Sequence, residues 1–346
     1  MRQKKILFIA TGGTFASIKS KNGLKPWFDV QELINLFPES KELAFIDGVQ
    51  IANLDSTNVE PAYWTKIAEC IEQNYAKYDA FIVSHGTDTM HYTSSALSYA
   101  LKWIEKPVII TGSVLSPEEK NSDAKTNFIE SICVAMSDNI SWVFICFMGL
   151  VIHGNHARKI NNEATRDCER NKKVFASINL PVVGVVSTRK FIKNQNCIYK
   201  SGPKHLDISP SNTFSPNIWY FNMIPGLDSS ILDAFKHKKA ILIETFWPGN
   251  IPFSYGNWLK KIEEFAKAWI WIFITTQNPF GEVDMEKYEV WQKAMKAGAI
   301  PCYDMTPEAA LTKLMWLYGN PKNTQLEKVK KLFLTNVCWE IRESYL

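Results

Sequence analysis

Several short segments of this chain carry the residue types from which an acyl-transfer site is built. They are Thr11-Gly12-Gly13-Thr14, Asp55-Ser56-Thr57-Asn58, His85-Gly86-Thr87-Asp88-Thr89-Met90, Thr111-Gly112-Ser113 and Gly154-Asn155-His156-Ala157-Arg158-Lys159. A threonine hydroxyl attacks a carbonyl once a base takes its proton. A lysine in a partly dry setting can be that base, with an aspartate to orient it. Paired glycines let the backbone approach a ligand closely and accept positive φ. Taken alone, each segment has a plainer alternative. Thr-Gly-Gly-Thr after a strand is also a simple turn or a phosphate cradle, although it matches neither G-x-G-x-x-G nor G-x-x-x-x-G-K-[ST]. His85 alone is more often packed or hydrogen-bonded than catalytic. His153 and His156 lie three apart with no third ligand suggested nearby, so no metal site is expected.

What joins these segments is that each follows an apolar stretch. Lys5–Ala10, Ala80–Ser84, Pro107–Thr111 and Trp142–Phe147 are dominated by β-branched and aromatic residues and lack polar alternation. That predicts strands buried on both faces, as in a parallel sheet covered by helices. Val49–Leu54 is a shorter apolar run before Asp55. Helical periodicity fills the gaps at Pro61–Asn74, Thr93–Ile104 and Ser122–Met136, with Pro61 in a first turn and Asp123 near an N-cap. The alternation implies an α/β fold with a parallel sheet. In such sheets ligands bind at the carboxyl ends of the strands, so the loops line up along one edge. The rhythm breaks in a Pro-, Asn- and Ser-rich stretch. It resumes with strands at 219–224, 240–245, 270–275 and 299–302 and helices at 228–237, 255–267, 286–297, 307–318 and 323–336. The expected organisation is a large N-terminal domain carrying the loops (1–185), a linker with a short hairpin (186–217) and a smaller C-terminal α/β domain (218–346).

Composition narrows the class. The 346 residues are 46% hydrophobic and 21% charged, which excludes a disordered tail, a collagen and a small disulfide scaffold. The formal charge is +4, and no basic block exceeds a Lys-Lys pair such as Lys4-Lys5. Without a concentrated basic face, no nucleic-acid partner is expected. Seven cysteines with no C-x-x-C pair suit free thiols in a reducing compartment. Ile6–Ala10 is too short for a signal-peptide core, and Ala268–Ile274 falls far below the roughly 20 residues of a membrane span. A cytoplasmic protein without a membrane segment is the expectation.

The segments also carry a family resemblance. Lys5–Ser17 resembles the first signature of the bacterial-type L-asparaginase/glutaminase family, and Ser84–Met90 resembles the second. Asp55-Ser56-Thr57, Thr111-Gly112-Ser113, Asn121-Ser122-Asp123-Ala124, Ile224-Pro225-Gly226 and Asp304–Ala309 with Thr312-Lys313-Leu314 extend the likeness over nearly the whole chain. The late Asp-Met-Thr segment resembles the cytoplasmic type I branch. The resemblance implies a flavodoxin-like N-terminal sheet, a smaller α/β domain, and a homodimeric or homotetrameric amidohydrolase without a cofactor. It implies hydrolysis of L-asparagine to L-aspartate and ammonia, with minor glutaminase activity. Thr14 matches the nucleophile that forms a β-aspartyl enzyme. Thr87, Asp88 and Lys159 match the second catalytic group. Ser56 and Asp88 match the residues that hold the substrate's α-carboxylate and α-amine, and Thr57 matches a neighbouring contact. Gly13, Gly86 and Ser113 complete the implied substrate contacts, with N–H groups near Thr87 as the oxyanion hole.

The same comparison marks departures. Leu24 stands where the family usually has a tyrosine in its lid loop, which leaves the helper of Thr14 unassigned. The stretch from Lys159 to Asn179 is longer and more charged than usual. Glu244 stands where some type I members carry a regulatory arginine, which implies hyperbolic kinetics. Glu282 resembles an acid that other members donate to a neighbouring subunit's site. Two other readings stand beside the hydrolase. One is the asparaginase-like subunit of an archaeal tRNA amidotransferase, whose chains carry an extra N-terminal domain where this sequence begins at the first strand. The other is a non-catalytic metabolite binder, against which the retention of Thr14, Thr87, Asp88 and Lys159 together argues.

Overall fold

Uninterrupted apolar strands need cover on both faces, and the first half of the chain supplies it. The structure is a computed structural model that describes residues 3–138, 140–162, 173–197, 212–284, 289–321 and 326–342. Contacts divide the chain into two compact units, Met1–Lys204 and His205–Leu346.

The first unit runs β1 (Lys5–Gly12), the hairpin β2 (Ser17–Ser20) and β3 (Gly23–Pro26), α1 (Val30–Leu36), α2 (Ser40–Leu43), β4 (Phe45–Leu54) and α3 (Pro61–Asn74). It continues through β5 (Ala80–Ser84), α4 (Met90–Ala100), β6 (Pro107–Thr111), α5 (Ala124–Ala135), β7 (Trp142–Phe147) and β8 (Leu150–His153). Short strands β9 (Ala157–Lys159) and β10 (Phe175–Ser177) pair with each other, and β11 (Gly184–Ser187) with β12 (Lys190–Lys193) closes the unit. The large sheet has the order β12-β11-β8-β7-β6-β5-β1-β4. Pairing is parallel from β4 to β7 and antiparallel beyond it. Numbered among the parallel strands alone, the order is the 2-1-3-4-5 of the flavodoxin-like fold, with its switch point between β1 and β5.

β1, β5, β6 and β7 are almost wholly buried, as their apolar runs require. On one face, Phe8 of β1 packs against Phe128 of α5 with ring centroids 4.9 Å apart. Helix α1 is opened by a reciprocal cap, in which Asp29 Oδ1 accepts from Glu32 N–H and Glu32 Oε2 accepts from Asp29 N–H.

Several local expectations shift. The helix expected at 93–104 begins at Met90 and ends at Ala100, and Leu101 to Ile104 form a closing turn. Asp123 precedes α5 without capping it, because its carboxylate accepts the N–H groups of Val114 and Leu115 instead. The hairpin expected after residue 186 starts at Gly184 and extends the large sheet through β8. Residues 198–211 of the expected linker lie outside the described residues, as does most of the charged stretch after Lys159.

The second unit holds β13 (Ile218–Asn222), β14 (Ala240–Thr245), α6 (Trp258–Lys267), β15 (Trp271–Thr276), α7 (Glu289–Ala297), β16 (Ala299–Pro301), α8 (Pro307–Gly319) and α9 (Leu326–Phe333). Its four strands pair in parallel and in chain order. Trp258, Ile262 and Phe265 of α6 and Trp291 of α7 share a core with Ile241, Ile243, Ile272 and Ile274. The helix expected at 228–237 is a 3-10 stretch, Ser229–Phe235. There Asp228 takes the Ser230 N–H on its carboxylate and the Ile231 N–H on its carbonyl, which starts a tighter winding. Among the described residues no helix is long and apolar enough to cross a membrane.

Candidate active site

The switch point brings three loops together. Thr11 Oγ1 donates to the Ser84 carbonyl at 2.7 Å, which ties the carboxyl ends of β1 and β5. Gly13 has φ +77° and donates its N–H to the Leu54 carbonyl at the end of β4, at 2.7 Å. A Cβ on Gly13 would lie 2.4 Å from Gly86 Cα, and one on Gly86 would lie 2.7 Å from Ser56 Oγ. Glycine is therefore required where these backbones touch.

Thr14 follows as the first residue of a single 3-10 turn, Thr14–Ala16. The next side chain, Phe15, is fully buried between Phe8, Phe37 and Phe128. That aromatic anchor fixes the backbone on which the Thr14 hydroxyl stands. Thr87 and Asp88 occupy the turn between β5 and α4, and Lys159 ends β9. Lys159 Nζ lies 2.9 Å from Thr87 Oγ1 and 2.5 Å from Asp88 Oδ1. The lysine side chain is 17% exposed and the aspartate 55%. Such a half-open ion pair contributes little stability, and its effect is to hold the amine against the Thr87 hydroxyl.

Thr14, Thr87 and Asp88 share a cavity of about 120 Å³ with Gly13, Gly86 and Ser56. Ser17, Leu24, Pro26 and Asp55 complete the lining. The space is well below the roughly 300–1,000 Å³ of pockets for drug-sized ligands, so it suits a small metabolite. Leu24, half exposed, projects from the β2–β3 hairpin, whose base is tied down by Ser116 Oγ donating to the Ser17 carbonyl at 2.6 Å.

Not every expected residue reaches this cavity. Ser113 is fully buried and its hydroxyl donates to the Leu115 carbonyl at 2.6 Å. Thr57 gives its hydroxyl and its N–H to Asp55 Oδ1, both at 2.8 Å. Neither lines the cavity. Glu282 sits in the second unit, in the loop after β15. Conversely, Asp55 and Ser17 line the cavity, although the sequence alone assigns neither of them a contact there. Asp55 carries a usable signal, since it directly follows β4 and immediately precedes Ser56. Among the described residues no group of three or more His, Cys, Asp or Glu is placed to hold a metal.

Behind the loop, His85 is fully buried. Its Nδ1 lies 2.8 Å from the Gly86 carbonyl and its Nε2 lies 2.9 Å from Thr93 Oγ1. Trp64 Nε1 donates to the same hydroxyl at 3.0 Å. Burial pushes the His85 pKa down to about 4, against a smaller raising effect of the Gly86 carbonyl.

Two threonines over one small cavity, the second bonded to a lysine amine, constitute an α/β site equipped for acyl transfer. The family models agree with that class. One described as Asparaginase, N-terminal, matches residues 5–198, and one for the Glutaminase/Asparaginase C-terminal domain matches residues 217–333. The chain belongs to the asparaginase family of amidohydrolases. The L-asparaginase of Thermococcus kodakarensis is 33% identical over 344 residues, which covers 98% of this chain and 100% of that protein. The solved structure of the thermostable L-asparaginase from that organism matches with a TM-score of 0.85 at 32% identity, covering 98% of this chain and 99% of that one. L-asparaginase I from Vibrio cholerae matches with a TM-score of 0.83 at 29% identity, covering 99% and 100%. One component of the glutamyl-tRNA(Gln) amidotransferase of Pyrococcus abyssi is 31% identical over 349 residues, covering 97% of this chain and 76% of that protein.

Proposed function

We propose that this chain hydrolyses L-asparagine to L-aspartate and ammonia with Thr14 as nucleophile. The observation that carries the reading is the Lys159–Thr87 contact of 2.9 Å beside a cavity that Thr14 also lines. The Thr14 oxygen adds to the side-chain amide carbon and gives up its proton. The tetrahedral adduct collapses, the C–N bond breaks, and the nitrogen leaves as ammonia after taking a proton. Water, deprotonated at the Thr87–Lys159 pair, then adds to the resulting β-aspartyl ester. The bond between the acyl carbon and Thr14 Oγ1 breaks, Thr14 Oγ1 recovers its proton, and L-aspartate leaves.

The remaining roles follow from the chemistry of a small zwitterion. Ser56 and the Gly86 backbone N–H offer donors to the α-carboxylate, and the Asp88 and Asp55 carboxylates suit the α-amine. The match to the Thermococcus kodakarensis L-asparaginase, 33% identical over 344 residues, supports this substrate.

Ammonia release by the purified protein from L-asparagine, with L-glutamine in parallel, tests the reading. Saturable release is expected from asparagine, and Thr14→Ala is expected to lower it by at least about a thousandfold, as losing an enzyme nucleophile does. Release by Thr14→Ala at the parent rate would remove Thr14 from the role.

A further inference from the structure

The chain Trp64–Thr93–His85–Gly86 leads from the protein interior to the catalytic turn, and its proton positions are determined. A carbonyl oxygen only accepts, so the contact with Gly86 requires a hydrogen on His85 Nδ1. The buried ring is neutral, which leaves Nε2 bare and able only to accept. Trp64 Nε1 only donates, so it occupies an acceptor site of the Thr93 hydroxyl. The Thr93 hydrogen then points to Nε2. All three side chains are buried, with Thr93 and His85 fully so.

The consequence lies in the next peptide bond. In a trans peptide the carbonyl and the following N–H point in opposite directions, and no cis bond occurs among the described residues. Holding the Gly86 carbonyl back against His85 therefore turns the Thr87 N–H away from the interior, toward the side on which Gly86 and Thr87 line the cavity. Among the described residues no acceptor takes that N–H. It is thus a fixed donor, of the kind that stabilises charge developing on a carbonyl oxygen.

We propose that His85 is a positioning residue: in its Nδ1–H tautomer, set by Thr93 and Trp64, it locks the Gly86–Thr87 peptide so that the Thr87 N–H serves as an oxyanion donor. This rests on the reading of the cavity as an amide-hydrolysing site. His85 touches no substrate. It acts only through the orientation of one peptide plane, so its loss lowers kcat and leaves KM nearly in place.

The test separates the two ring nitrogens. In His85→Asn the side-chain amide nitrogen falls where Nδ1 was and can still donate to Gly86. In His85→Gln the amide falls where Nε2 was, and the link to Gly86 is broken. His85→Asn is expected to keep kcat for asparagine within about tenfold, and His85→Gln to lose about 10²–10³, the usual effect of losing one oxyanion donor. KM is expected to move less than about threefold in both, since the donor acts on the transition state rather than the ground state. Equal kcat losses in the two variants, or a loss carried by KM, would overturn the proposal. If His85→Gln does not fold, Thr93→Val and Thr93→Ser decide it. Valine should lower kcat and serine should restore it, and a folded Thr93→Val protein with parent kcat counts against the relay. Long-range ¹H–¹⁵N correlation on the wild-type protein at neutral pH reads the tautomer directly. A proton on Nδ1 is expected, and one on Nε2 refutes the arrangement whether or not the protein releases ammonia. A wild type that releases none but shows the Nδ1–H tautomer would instead count against the asparaginase reading.

Discussion

Lys159 has two acceptors, and the chemistry needs only one of them. Asp88 is more than half exposed, so the ion pair contributes under about 1 kcal/mol to stability. The contact with Thr87 is the better shielded and lies at the cavity wall. Lys159→Met is therefore expected to lower kcat by about 10²–10⁴, the range for general base catalysis, while the thermal midpoint moves by a few degrees at most. Lys159→Arg should not rescue it, because a guanidinium does not give up its proton. Parent activity in either variant would show that Thr87 works without this amine. At this scale much of the site was legible before the fold was known. Thr14, Thr87 and Asp88 are hydroxyl and acid groups just after apolar strands, a position that is a consequence of sheet geometry, and Lys159 ends a short strand at a recognisable spacing from Gly154 and Asn155. Ser113 shares the position, yet its hydroxyl is spent on Leu115, a local bond no residue pattern announces. Leu24 stands at a lid position in the sequence, and its place in the cavity wall depends on how the β2–β3 hairpin folds back.

At the scale of elements, the contact between the β1 and β5 loops is the most constrained feature. Gly13 combines φ +77° with ψ −173°, a region open essentially only to glycine. Its missing side chain also leaves room for Gly86. Gly13→Ala is expected to cost about 1–3 kcal/mol from backbone strain alone, and to displace Thr14 enough to lower activity more than stability. Chemical denaturation beside an ammonia assay measures both, and a variant with the parent midpoint would contradict the strain. The strands β1, β5, β6 and β7 could be read from the sequence because a strand buried on both faces shows an unbroken apolar run. The β2–β3 hairpin is not legible in this way, and the β11–β12 hairpin only approximately, because short, largely exposed strands carry mixed residues. Asp29 and Glu32 mark the start of α1 by their spacing, the signature of a reciprocal cap. The 3-10 stretch at Ser229–Phe235 has helical composition, and only the Asp228 turn distinguishes it.

For the molecule as a whole, buried neutral histidines make stability depend on pH. Burial pushes the pKa of His85 down to about 4 and those of His91 and His153 down to about 3, with repulsion from Arg158 and Lys159 adding to the effect at His91. In the unfolded chain each titrates near its usual 6.5. As the pH falls below 6.5 the unfolded chain takes up protons that the folded protein refuses, so stability declines and continues to decline toward pH 4 and below. The cost is roughly 2 kcal/mol per histidine at pH 5, at about 1.4 kcal/mol per pH unit. Unfolding midpoints in denaturant should therefore drop steeply between pH 7 and pH 5. A flat profile over that range would mean that these rings are hydrated in the folded state.

The strand order also sets a timetable. β1 leaves the ribosome before either of its neighbours in the sheet, β4 and β5. The Thr14 loop cannot settle until Leu54 has arrived to accept the Gly13 N–H and Gly86 to pack against Gly13. With synthesis at about 5–20 residues per second, that wait lasts seconds, and Lys159 comes later still. A nascent chain is thus rich in side-chain amides of its own but lacks the apparatus to attack them, since Thr14, the proposed nucleophile, is translated first and Lys159 among the last parts of the site.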